Sequence, residues 1–108
     1  MTVTRPMLTP LICAVALALA ACATTDPPES QMAAARAMVA HAQLAQPPAP
    51  VELNAAQEKL ARAESAMQRG HYGHARLLAE EAEADARLAW SASERAHMQN
   101  RLAQETGK

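Results

Sequence analysis

The sequence predicts an all-α protein: an antiparallel helical hairpin with a long third helix, joined to an additional N-terminal helix that follows a cleaved signal peptide and a short tether. Three observations point there. Alanine fills 28 of the 108 positions, phenylalanine is absent, and tyrosine and tryptophan occur once each. A buried leucine or phenylalanine contributes roughly 1.5–3 kcal/mol and a methyl far less, so a barrel, sandwich or doubly wound sheet of this length is hard to stabilise from these side chains. Alanine with glutamate, arginine, glutamine and leucine is instead a helix-forming set, and beyond position 50 the apolar residues recur at intervals of three and four. The chain divides into a signal peptide (1–21), a tether beginning at Cys22 (22–30), an N-terminal helix (31–46), a proline-rich connector (47–50) and a helical hairpin (51–105).

The targeting segment comes first and is set aside before fold reasoning. Arg5 and the terminal amine give a weakly positive start, and Leu8 to Ala20 then run apolar and uncharged, interrupted by Pro10. This run of about 13 residues falls short of the roughly 20 needed to cross a bilayer as a helix, so it reads as a cleaved signal. It ends in Leu19-Ala20-Ala21-Cys22. These four residues resemble the lipobox of bacterial lipoproteins. The resemblance implies cleavage between Ala21 and Cys22, a diacylated Cys22 thiol and fatty acyl groups, palmitate among them, at the new N-terminus. Small side chains let a peptidase approach the backbone, and a thiolate is nucleophilic enough to take the glyceride.

Cys13 lies in the segment to be removed, so the mature chain has no second thiol with which to form an internal disulfide. Two or three acyl chains anchor stably, since each buried methylene contributes about 0.8 kcal/mol. The partner so implied is a membrane, reached through Cys22 without spanning. In lipoproteins of double-membrane bacteria an aspartate directly after the lipidated cysteine favours inner-membrane retention. Ala23 stands there, so the resemblance implies the outer membrane, facing the periplasm.

From Cys22 onward the chain carries nine Lys and Arg against eleven Asp and Glu, which leaves no basic face for nucleic acid. Ala23 to Ser30 is polar and broken by two prolines, a tether of about 26 Å at full extension. The first helix runs from about Ser30 to Gln46, with a thin stripe of Met32, Met38, Val39 and Leu44, and stops at Pro47-Pro48-Ala49-Pro50. The second opens between Val51 and Asn54, and Asn54 with Gln57 has the form of a capping box. Leu53, Ala56, Leu60, Ala63 and Met67 form its apolar face, with Glu58 and Arg62 paired on the wet side. Gly70-His71-Tyr72-Gly73 reverses the chain.

The third helix runs from about His74 to near Gln104, and Ala75, Leu78 or Ala79, Ala82, Ala86 and Ala89 face the second. Small residues on both faces predict an alanine-lined seam. At 1.5 Å per residue the two helices measure about 24 and 45 Å, so the third overhangs its partner from near Trp90. Trp90, Met98 and Leu102 make this overhang the candidate partner surface, to be covered by the first helix, by another protein or by self-association of coiled-coil type.

Ala49-Pro50-x-Glu52-Leu53, Lys59-Leu60, Ala63-Glu64, Gly70-x-Tyr72, Ala75-Arg76-x-Leu78-Ala79-Glu80 and Asp85-Ala86 together resemble a domain-of-unknown-function family of small alanine-rich bacterial envelope lipoproteins. Related domains precede OmpA-like peptidoglycan-binding domains, which implies an envelope role. No OmpA-like domain follows here, so peptidoglycan binding is not implied. The hinge from Gly70 to Ala75 also resembles the middle of a tetratricopeptide repeat. No second copy appears at a 34-residue period, so it supports a hairpin and not a peptide-binding array. The terminal Lys108 is similar to that of Braun's lipoprotein, which is joined to peptidoglycan through a C-terminal lysine. The proline breaks, the hairpin turn and the missing Tyr-Arg before the lysine depart from it.

Enzyme chemistry finds no footing. His71-x-x-His74 brackets a turn while His41 and His97 lie elsewhere, and the run Glu80, Glu81, Glu83 and Asp85 points in several directions around one helix. Neither a phosphate loop nor a nucleophile–histidine constellation occurs. No catalytic, cofactor-binding or metal-ligating residue is therefore assigned, and no cofactor is expected. The function expected is that of a structural or adaptor lipoprotein of the outer membrane. A small ligand- or ion-binding module using the hinge histidines or the acidic run, and a peptidoglycan-linked lipoprotein, are the alternatives.

Overall fold

The computed structural model describes residues 26–107, which form three α-helices and no strand. Helix α1 spans Glu29–Gln43, α2 spans Pro50–Gln68 and α3 spans Tyr72–Thr106. The all-α hairpin with a long third helix and an additional N-terminal helix is thus the observed architecture. The signal segment and Cys22 lie outside the described residues, as does Lys108.

Helices α2 and α3 make the hairpin. Between them Gly70 takes a φ of +76°, a left-handed conformation that suits a residue without Cβ. Its N–H donates to the Met67 carbonyl at 3.1 Å, and the His71 N–H reaches back to the Ala66 carbonyl at 2.9 Å. Those two bonds satisfy carbonyls that the end of α2 would leave open, the pattern of a Schellman cap. The reversal is shorter than the sequence suggests. Helix α3 resumes at Tyr72, so Gly73 sits inside its first turn and not in the loop.

The other boundaries also shift for identifiable reasons. Helix α2 opens at Pro50, not between Val51 and Asn54, because proline's fixed φ and missing N–H suit the first helical position. Asn54 is therefore an exposed residue within the helix and caps nothing. Helix α1 ends at Gln43, three residues before Gln46: the N–H groups of Leu44 and Ala45 turn back to His41 and Ala42 in a tightened last turn. The residue preceding Pro47 is disfavoured in helical conformation, so the chain leaves the helix before it.

Helix α1 packs on the hairpin. Met32 and Ala35 lie with Ala63, Leu78, Ala79 and Ala82 in one cluster. Val39 and Ala42 lie with Ala56, Ala86 and Ala89 in the next. This order makes α1 parallel to α3 and antiparallel to α2, with its start at the hinge end. Its stripe is thin, but Met32 and Ala35 are fully buried.

Among the described residues fourteen buried apolar side chains form the core, and eleven are alanine; Met32, Val39 and Leu78 are the exceptions. Each of the three larger side chains contributes about 1.5–3 kcal/mol. The alanines contribute less individually but let the backbones approach closely, so contact replaces bulk. Volume added inside such a seam has nowhere to go. Ala82→Leu is expected to cost about 1–3 kcal/mol in urea unfolding, whereas Ala84→Leu, at an exposed position of the same helix, should change stability by less than about 0.5 kcal/mol. Equal effects would show that Ala82 is not tightly enclosed.

Candidate functional site

Three features that the sequence singles out for chemistry or contact fall at different places on this bundle. The first is the overhang. Helix α3 has 35 residues, about 52 Å, against 19 residues and about 28 Å for α2. The last buried residue along α3 is Ser93, and everything from His97 to Gly107 is exposed. Met98 and Leu102 lie there, 52% and 58% exposed. Trp90 does not join them as a free surface. It is half-buried against α1, its ring tilted 34° to that of His41 with centroids 4.0 Å apart. The overhang therefore begins near Glu94, and α1 closes over the bundle as far as Trp90.

The second feature is the acidic run, whose members all meet cations. Glu80 accepts from Arg76 at 3.2 Å, and Glu83 pairs with Arg87. Asp85 and Glu81 face α2, where the Lys59 ammonium lies 2.6 Å from Asp85 Oδ2 and 3.9 Å from Glu81. Glu58 and Arg62 pair at 2.9 Å as the spacing predicts, and Arg36 of α1 meets Glu64 of α2 at 3.2 Å. The run is thus split: Asp85 and Glu81 pair across the α2–α3 seam, while Glu80 and Glu83 pair along α3 itself. Among the described residues no three His, Cys, Asp or Glu side chains gather as metal ligands.

Lys59 is the residue that sequence reading overlooked. It lies between Ala56 and Ala63 on the seam side of α2, and facing that stripe to the one on α3 would have brought Asp85 opposite it. The hydrogen bond that its ammonium donates to Asp85 raises its pKa above the ordinary 10.5; partial burial opposes this, and the charges of Asp85 and Glu81 add to it. The Asp85 oxygen is itself enclosed and has only this cation as partner.

The third feature is the hinge. His71 and His74 are exposed and line an open groove of about 270 Å³ with Arg62, Ser65, Ala66, Arg69 and Leu78. Two guanidinium groups in the lining work against a divalent cation there. His41 lies on α1 and His97 far along α3, and neither lines this groove.

Comparison with known proteins adds the family. The model of the family described as domain of unknown function DUF4398 matches residues 30–105. The chain belongs to that family. The match takes in all three helices but for the terminal residues of α1 and α3, so α1 is part of the family domain and not a separate addition to the hairpin. No curated protein and no solved structure matches the chain. Among the described residues no helix is long and apolar enough to cross a membrane.

The Lys59–Asp85 contact makes a pH prediction. A pKa raised in the folded state means that the pair's contribution is fully present below the ordinary lysine value and is lost as pH rises through the folded one. Melting midpoints of the wild type should therefore fall more steeply above pH 10.5 than those of Lys59→Met. Parallel curves for the two proteins would show that the contact contributes nothing.

Proposed function

We propose that the protein is an outer-membrane lipoprotein acting as a structural or adaptor component of the periplasmic cell envelope, held by acyl chains on Cys22. The observation that carries this reading is Leu19-Ala20-Ala21-Cys22 at the end of an uncharged apolar run. The architecture is consistent with a tether. Helix α1 begins seven positions after Cys22 in the sequence and starts at the hinge end, so the start of α1 and the exposed end of α3 lie at opposite ends of a helix about 52 Å long. An adaptor needs that separation: one end fixed, the other presenting side chains to a partner. Met98 and Leu102 are the residues presented, with Trp90 at the edge where α1 stops.

An adaptor does not need a reaction centre. The acidic run is engaged in ion pairs, and the hinge histidines share their groove with Arg62 and Arg69.

Expression in cells fed an acyl-chain probe tests the anchor. The wild type should be labelled, processed and found in the outer-membrane fraction, and Cys22→Ser should lose label and remain unprocessed. A Cys22→Ser protein that is processed as the wild type is, with the same distribution, would contradict the proposal.

A further inference from the structure

Helix α3 carries a second apolar stripe, turned away from both other helices. Leu77, Leu88, Met98 and Leu102 are 53%, 56%, 52% and 58% exposed, and Ala84 between them is exposed as well. At 3.6 residues per turn these five fall within about 80° of arc, on the side opposite the alanine seam. Glu81, on the flank nearer α2 where it meets Lys59, and the outward Ser91 and Arg95 fill the intervals of four and three from Leu77 to Leu102, the seam pattern of a coiled coil. One flank of this stripe alternates in sign every seven residues: Glu80, Arg87, Glu94 and Arg101.

We propose that the occupant of this face is a second copy of the same chain, with the two α3 helices antiparallel. The flanking charges carry the assignment. Reversed against itself, the series of negative, positive, negative and positive meets its complement at every place: Glu80 faces Arg101 of the second copy and Arg87 faces Glu94. The same alignment sets Leu77 on Leu102 of the second copy, closing the seam with a leucine pair at each end. Leu88 then lies beside Ser91, and Arg95 lies one turn from Glu81 of the second copy.

The competing alignments fail on charge. Sliding one helix by seven residues stacks Leu88 on Met98 but brings Arg87 onto Arg101 and Glu94 onto its own counterpart. Parallel pairing buries Glu81 against Glu81 and Arg95 against Arg95. Within the described residues of one chain Glu94 and Arg101 have no ion-pair partner, while Glu80 and Arg87 are held only in exposed pairs one turn away. All four are available to a second copy.

This deepens the proposed function by naming the partner of the exposed α3 surface, and in that respect it rests on that reading. Antiparallel pairing places the two hinge ends at opposite ends of the dimer. Six residues separate Cys22 from α1, a reach of about 25 Å when extended, enough for both anchors to reach one bilayer with the long axis lying along it.

The test uses the full chain, expressed in cells and extracted in an uncharged detergent. Leu77→Cys combined with Leu102→Cys should give a disulfide-linked dimer on non-reducing gels, because a disulfide needs Cα atoms about 4.4–6.8 Å apart. Neither single variant should, and the pair Leu88→Cys with Met98→Cys should not. Every position is exposed, and a helical melting curve like that of the wild type confirms that the variants fold. Arg101→Glu should weaken dimerisation about tenfold, since two pairs turn from attraction to repulsion, and adding Glu80→Arg should restore it. A chain that stays monomeric in sedimentation and uncrosslinked in all variants overturns the proposal, as does crosslinking of the Leu88/Met98 pair instead. If a photoreactive residue at Met98 then captures a different protein, the dimer is refuted while the adaptor reading stands.

Discussion

Two helices that face each other through methyl groups come closer than two that face each other through leucines. That close approach is the constraint on which the rest of this structure depends. Ala35, Ala63, Ala79 and Ala82 form the first layer with Met32 and Leu78, and Ala42, Ala56, Ala86 and Ala89 form the next with Val39. With few large side chains to bury, stability depends on many short dispersion contacts. Each is about 0.1–0.2 kcal/mol per atom pair and all require nearly correct spacing. Such a seam tolerates little added volume: Leu78 enters it, while Leu77, Leu88, Met98 and Leu102 of α3 stand exposed.

The charged rim follows from the same geometry. When backbones are close, residues flanking the seam on one helix reach those on its neighbour, so Lys59 meets Asp85 and Arg36 meets Glu64. These pairs connect helices and not merely successive turns. The hinge obeys a related economy: one left-handed glycine and two backbone hydrogen bonds reverse the chain over three residues, short enough to start α3 directly against α2. Helix α1 then lies along both, its start at the hinge end and opposite the exposed end of α3.

Much of this architecture was legible in the amino-acid pattern, and the misses have physical causes. The stripe of Ala75, Ala82, Ala86 and Ala89 and the hairpin at Gly70 could be read because interval spacing and a helix-ending glycine are local signals. The start of α2 was misplaced because Asn54 and Gln57 imitate a capping box while Pro50 preorganises an earlier turn. The fate of α1 was not readable. Its stripe of Met32, Ala35, Val39 and Ala42 is too weak to announce a partner, and only the groove presented by α2 and α3 makes it sufficient. The Lys59–Asp85 contact escaped for a similar reason, since it joins residues 26 positions apart. Trp90 stands where the helix lengths start the overhang, but the last turn of α1 covers it through His41. Met98 and Leu102 remain as the exposed part of that surface, and the anchor at Cys22 rests on a motif outside the described residues.

Native-state hydrogen exchange tests the central claim most directly, because a single close-packed seam makes the three helices one cooperative unit. Amides around Ala35 and Val39 in α1 should open with the same free energy and the same denaturant dependence as those around Ala79 and Ala82 in α3. Exchange of α1 by a separate, low-energy opening while α2 and α3 stay protected would contradict the account, leaving a two-helix hairpin with a loosely attached third.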